Sequence, residues 1–237
     1  MKVLAIESSA VTASVAIMSE DILTAENTNN YKKTHSQTLL PMIDEICEMT
    51  ETEVSDIDYY AVSVGPGSFT GLRIGAATGK GLALATGKSM VEVPTLEGMA
   101  YNMHGCEKLI CPIMDAKRRH LYCGMYTFDG DGKLEIVKEQ CLISYEELAD
   151  VINSLNREVV FVGDGIAAAK KDLEERLLVK KTFAPPHMNT QRAASVAMAA
   201  IDRINAGLVV SADELKPDYL RPSQAERELS EKINGQD

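Results

Sequence analysis

The chain opens on two runs dominated by apolar and β-branched residues, Lys2–Ser9 and Thr12–Met18, joined by a short polar turn, and a third extended stretch follows at about 21–28. Runs of this kind, bounded by turn residues, predict a meander of three strands. From His35 to Thr50 the period changes: Leu39, Met42, Ile43, Ile46 and Met49 recur at the spacing of one helical face. A strand at Asp58–Val64 then ends in Gly65-Pro66-Gly67-Ser68-Phe69-Thr70-Gly71, and a second helix runs to about Thr86, where Gly87 can close it. After a helix at Pro94–His104 the series restarts. Strands are expected at Lys108–Met114 and His120–Phe128, and Asp129-Gly130-Asp131-Gly132 turns the chain into a third at Lys133–Ile143. A helix at Tyr145–Asn153, a strand at Val159–Val162, the turn Gly163-Asp164-Gly165 and a helix at Ile166–Leu177 follow. The order strand-strand-strand-helix-strand-helix thus occurs twice, without a residue-level repeat. A last helix, Gln191–Ala206, is Ala-rich with Val196, Ala200 and Ile204 on one face. The polar run 223–237 is expected to be a flexible tail.

A duplicated mixed sheet backed by helices is the plan of the actin-like ATPases, whose nucleotide cleft lies between two lobes. The pattern therefore predicts an α/β, actin-like (ASKHA) duplicated fold, with a first lobe over residues 1–105 and a second over 106–222. A fold-level analogy says little about activity. Hydrophobic residues make up 45% of the 237 and charged residues 25%, which fits a folded globular chain rather than a disordered one. Tryptophan is absent and phenylalanine scarce, so the core must be built from aliphatic side chains, Met and Ala. The net charge of −11 repels a phosphate backbone over most of the surface, so work on nucleic acid would need another subunit to hold it. Cys47, Cys106, Cys111, Cys123 and Cys141 show neither Cys-x-x-Cys nor zinc spacing and are read as reduced thiols. No stretch approaches the ~18 apolar residues of a membrane span. The alternating N-terminus fits strands better than a secretory leader, and the expected compartment is the cytoplasm.

The most informative segment is Val64-Gly65-Pro66-Gly67-Ser68-Phe69-Thr70-Gly71-Leu72-Arg73-Ile74-Gly75. A strand passing through glycines into a helix N-terminus can aim free amides at an anion. It can equally be a tight turn whose glycines supply unusual dihedrals. Within the second helix, Gly71, Gly75 and Gly79 recur every four residues and make a smooth face with Leu72, Ala76 and Ala83. Each interior glycine costs about 1 kcal/mol in helix propensity, so close approach of a sheet, a helix or another chain is expected to compensate. Gly75-Ala76-Ala77-Thr78-Gly79-Lys80-Gly81 has the wrong spacing for a P-loop and lies inside the helix. Glu7, Ser8, Ser9 and Thr12 surround the first hairpin turn, where actin-like folds contact phosphate; hydroxyls there also serve turns. With Gly65, Gly67, Gly163, Asp164 and Gly165 they outline a degenerate nucleotide cleft, in which weak nucleotide binding would occur without a resident cofactor. The compact basic cluster Lys117-Arg118-Arg119 could meet phosphate or an acidic partner, or form a solvated turn. The four histidines stand apart, so no metal site can be drawn.

Six stretches together resemble the TsaB/YeaZ family: Leu4-Ala5-Ile6-Glu7-Ser8-Ser9, His35-Ser36 with Leu39-Leu40-Pro41, Gly65–Gly75, Asp115–Arg119, Phe161-Val162-Gly163-Asp164-Gly165 and Pro217-Asp218-Tyr219-Leu220-Arg221. They span nearly the whole chain, and the string from Gly65 to Gly75 is highly specific. The resemblance implies a two-lobed actin-like fold and a role in making threonylcarbamoyl-adenosine next to the anticodon of tRNA. In that family the catalytic paralogue TsaD carries a His-x-x-x-His metal pair, which this chain lacks. The implied role is therefore a non-catalytic subunit that binds TsaD, with the small ATPase TsaE joining the assembly and tRNA engaged only indirectly. The family pairs its subunits through the first two helices, and the same surface would form a homodimer when TsaD is absent. The contact candidates on these helices are His35, Leu39, Leu40, Ile43, Cys47, Leu72, Gly75, Ala76, Gly79 and Ala83.

Three rival readings stand beside this one. A small-molecule phosphotransferase would need a carboxylate base, for which Glu7 is the one candidate. A protease would need a triad that spacing does not reveal. Direct tRNA binding would need Lys117, Arg118 and Arg119 to join a partner's basic surface.

Overall fold

The computed structural model describes residues 1–31 and 34–221, so the tail expected at 223–237 lies outside the described residues. Strands β1 (Lys2–Glu7), β2 (Ala13–Ser19) and β3 (Leu23–Asn29) form the antiparallel meander. Helix α1 (His35–Met49) leads to β4 (Tyr59–Gly65), parallel to β1, and α2 (Phe69–Thr86) leads to β5 (Ser89–Pro94), parallel to β4. The sheet order is β3-β2-β1-β4-β5.

The second half repeats this plan after a short helix α3 (Thr95–Ala100). Strands β6 (Leu109–Asp115), β7 (His120–Phe128) and β8 (Leu134–Ser144) form the meander, followed by α4 (Tyr145–Leu155), β9 (Val159–Val162), α5 (Ile166–Arg176), β10 (Lys181–Phe183) and α6 (Ala193–Asn205). Here β9 runs parallel to β6, and β10 parallel to β9. Read from its own third strand, the second sheet is β8-β7-β6-β9-β10, position for position the order of the first. This is the actin-like duplicated fold.

Central strands are buried on both faces, so each face needs its own cover. On β1, Leu4 and Ile6 face a core shared with Leu39, Ile43 and Ile46 of α1 and Ala76 and Ala83 of α2. Val3 and Ala5 point the other way, into a layer filled by α6 through Val196, Ala197, Ala200 and Ile201. In the second sheet, Leu109, Cys111 and Ile113 meet α4 and α5, whereas Ile110 and Met114 meet Leu96, Met99 and Ala100 of α3. The two halves thus exchange their last helices. α3, which ends the first half, covers the second sheet, and α6, which ends the second, covers the first.

That exchange crosses the span 106–222 expected as a second lobe. Residues 193–215 return to the first sheet: Val210 bridges Met90, and Ala212 and Leu215 are buried in the first core. The expected helix Pro94–His104 is also shorter, ending as α3 at Ala100 and continuing as a single 3-10 turn, Tyr101–Met103. Helix ends follow their chemistry elsewhere. Ser68 caps α2 by accepting from the Gly71 amide at 3.2 Å, Gly87 closes it in the left-handed region, and Ser144 and Glu147 form a reciprocal capping box on α4.

Candidate functional site

The parallel pairing of β1 with β4 brings their C-terminal ends side by side, and the loops that follow close on one another. The Ser68 amide donates to the Ser9 carbonyl at 2.6 Å, and the Ser8 hydroxyl donates to the Gly71 carbonyl at 2.9 Å. A Cβ on Gly67 would overlap the Ser9 carbonyl, and one on Gly71 the Ser8 carbonyl. Glu7 is 1% exposed; its carboxylate accepts from the Ser9 amide at 2.6 Å and from the Ser63 hydroxyl. Burial pushes the Glu7 carboxyl above its ordinary value, and those hydrogen bonds pull it part of the way back. Ser8, Ser9 and Thr12 are buried as well. The glycine segment is therefore a close-packed turn in which the Ser68 and Gly71 amides are already bonded, and Glu7, Ser8, Ser9 and Thr12 are buried rather than displayed at the surface.

The second lobe is built alike. Gly163, at φ +117°, passes so near Ile113 that a Cβ would overlap its carbonyl, while Gly165 packs against the same residue and donates to its carbonyl at 3.0 Å. Asp164 between them is exposed. The basic cluster sits on the β6–β7 turn, where Lys117, Arg118 and Arg119 all adopt the left-handed region, at φ +65°, +55° and +58°. Lys117 pairs with Asp115 at 2.5 Å, and Arg119 bridges Glu146 and Asp172 at 2.6 Å each while lying over the Tyr145 ring. Two of the three cations are thus already neutralised within the chain, which weakens the direct tRNA reading.

The helix pair α1 and α2 covers one face of the first sheet, and most of the contact candidates prove to be internal. Leu39, Ile43, Cys47, Leu72, Gly75, Ala76, Gly79 and Ala83 are all buried inside the chain. The smooth glycine face meets the protein's own chain: a Cβ added to Gly75 would run into Ser8, and one added to Gly79 into Val62 and Met90. The glycine spacing thus records close approach to the turn after β1 and to β4 and β5 of the same chain. His35 is half-buried, its Nε2 2.8 Å from the Ala10 carbonyl. Of the ten, only Leu40, at 57% exposure, stands well out of the fold.

What the pair does present outward is a second stripe that the glycine pattern obscured. Arg73, Ala77, Gly81, Leu84 and Ala85 are exposed on α2, and Gln37, Leu40, Pro41, Asp44 and Glu48 on α1. Ala77, Gly81 and Ala85 also recur every four residues, and Leu84, 64% exposed, is the large apolar group among them. A low-relief face with Leu84 standing out on α2 and Leu40 on α1 suits a helix-packing partner. Among the described residues no three His, Cys, Asp or Glu side chains come together to hold a metal, and no helix is long and apolar enough to cross a membrane.

Comparison with known proteins adds the lineage. Residues 23–229 match the family described as "TsaD: tRNA N6-adenosine threonylcarbamoyltransferase". A protein of Bacillus subtilis (strain 168) named tRNA threonylcarbamoyladenosine biosynthesis protein TsaB is 30% identical over 226 residues, 95% of this chain and 96% of that one. The chain belongs to the TsaB family. The protein of the same name from Escherichia coli (strain K12) is 29% identical over 232 residues, 97% of this chain and 98% of its own. The solved structure of YeaZ from Pseudomonas aeruginosa superposes with a TM-score of 0.79 at 23% identity, over 92% of this chain and 99% of that one, and shares the fold.

Proposed function

We propose that the chain is an accessory subunit of tRNA threonylcarbamoyladenosine biosynthesis that binds TsaD and stabilises or orients it, making and breaking no bonds itself. The observation that carries this reading is the likeness to TsaB relatives over 95% and 97% of this chain. Two features support the non-catalytic part. Glu7, the base a phosphotransferase would need, is buried and already hydrogen-bonded. The Ser8 hydroxyl, Gly67 and Gly71 are spent on closing turns. Nucleotide would at most bind weakly between the lobes.

TsaD docks on the outward face of α1 and α2, centred on Leu40, Ala77, Gly81 and Leu84, and the same face pairs two copies of this chain when TsaD is absent. TsaE joins as a third component, and tRNA is engaged through TsaD, in keeping with the charge of −11. The whole assembly works in the cytoplasm.

Size-exclusion chromatography with light scattering, on the chain alone and mixed with TsaD from the same organism, tests this directly. The expected result is a homodimer that gives way to a heterodimer, together with tRNA threonylcarbamoylation that neither subunit supports alone. Absence of any complex, with or without nucleotide, would overturn the proposal.

A further inference from the structure

One sequence stretch, Pro217-Asp218-Tyr219-Leu220-Arg221, lies outside the helices, the strands and both apolar cores, yet it is held on both lobes. The Lys216 amide donates to Glu92 at 2.7 Å and the Asp218 amide to the Val64 carbonyl at 2.7 Å, anchoring the stretch on the first lobe. The Asp218 carbonyl lies where a side chain on Gly65 would have to stand, and Gly65 itself has φ +131°, so that glycine is needed both for its conformation and for the room it leaves. Tyr219 then stacks on Phe69 with ring centroids 4.4 Å apart and accepts from Arg73 Nε at 3.1 Å, while the Arg73 guanidinium covers the other ring at 4.0 Å.

The far end is held by the second lobe. Gln140 of β8 donates to the Gly65 carbonyl at 3.2 Å and to the Asp218 carboxylate at 3.1 Å, and Arg221 donates to the Ala116 carbonyl at 2.8 Å. Ala116 directly precedes the three consecutive left-handed residues Lys117, Arg118 and Arg119. Non-glycine residues occupy that region singly and at a cost, and such conformations persist where the surroundings hold them. The strap thus ends on the most strained turn in the described chain.

The lobes are joined in two physically different ways. One is the apolar layer of α3 and α6, reinforced by Arg203 with Glu97 at 3.1 Å and by Tyr101 donating to Asp202 at 2.6 Å. The other is the strap, whose polar contacts are exposed or only partly buried and so individually weak. Such segments open at far lower free energy than packed cores. We infer that Pro217–Arg221 is a latch: it clasps the two lobes over the β4–α2 and β6–β7 turns, and its release lets these turns move apart about the α3–α6 layer.

The test is hydrogen exchange by mass spectrometry on the full chain and on the double variant Tyr219→Ala/Arg221→Ala, with circular dichroism to verify the fold. Peptides covering 64–70 and 114–121 should exchange about fivefold or more faster in the variant, while those of α3 and α6 keep their rates. Gln140→Ala, which removes only the second lobe's donor, should speed the same two regions. Unchanged exchange in both turns would overturn the latch, as would an acceleration shared equally by α6, since that would report general loosening.

Discussion

Glycine by glycine, α2 separates positions where a side chain is barred from those where it is merely missing. A Cβ on Gly75 would overlap the Ser8 hydroxyl, and Ser8 is fixed by its bond to the Gly71 carbonyl, so Gly75→Ala should cost about 1–3 kcal/mol through overpacking. Gly81 has nothing within 4 Å of such a Cβ, so Gly81→Ala should stabilise by about 0.5–1 kcal/mol through helix propensity. Urea unfolding of the two variants checks both signs. The four-residue glycine spacing was legible in the sequence, but its neighbour was not, because a smooth face looks the same whether a sheet or a foreign helix lies against it. Glu7 offers a pH test. Its folded-state carboxyl lies above the ordinary 4.5, because burial disfavours the charge more than the Ser63 and Ser9 hydrogen bonds favour it. The folded protein therefore holds that proton more tightly than the unfolded chain does. The associated stability is present below pH 4.5 and is lost as pH rises through the folded value. Glu7→Gln should accordingly gain on the wild type as pH rises from 4.5, read as the change in their melting-temperature difference between pH 4.5 and pH 7.5. A difference between the two that does not change with pH would mean that the carboxyl is not shifted.

Helix α2 carries two faces with opposite duties, and substitutions on them should part company. Ala76 is 6% exposed, in the core that α1 and α2 share, so Ala76→Arg buries an unpaired charge and should cost about 2 kcal/mol or more, whatever it does to association. Leu84→Arg sits on the outward face and should leave stability within about 0.5 kcal/mol while abolishing both the homodimer and the TsaD complex. Thermal melts beside light scattering distinguish the two, and an intact complex with Leu84→Arg would move the docking face elsewhere. Strands differ in how much they declare of themselves. β1, β2, β4, β6, β7 and β9 are apolar runs with clear limits, whereas β5 is cut short by Pro94 and carries a charge at Glu92, and β10 is only Lys181-Thr182-Phe183. Both lie at the far end of a parallel row, where a neighbouring strand supplies the pairing that the local pattern does not announce. The twofold order of elements was enough to propose the duplication. The choice of sheet for α3 and α6 was not legible, since every residue of α3 is buried and the apolar face of α6 says that it is covered but not by which sheet.

At the scale of the molecule, that exchange ties the stability of the two lobes together. Each sheet is covered on one face by a helix from the other half of the chain, so neither lobe can lose its packing without stripping the other of a helix. Glu97 reinforces the coupling: burial raises its carboxyl, Arg203 of α6 offsets this, and separating the helices would leave a buried carboxylate without its partner. Two lobes joined only by a linker would unfold as two transitions, whereas lobes that share their layers should unfold as one. The thiols provide natural reporters, because Cys47 is buried in the first core and Cys111 and Cys123 in the second. Pulsed thiol labelling along a urea series should expose all three at one midpoint, coincident with the loss of helical circular dichroism. The partly exposed Cys106 and Cys141 would label earlier and serve as controls. Labelling of Cys111 and Cys123 at a lower urea concentration than Cys47 would mean that the second lobe opens alone, and that α3 can keep its place beside the first sheet without the surface it covers.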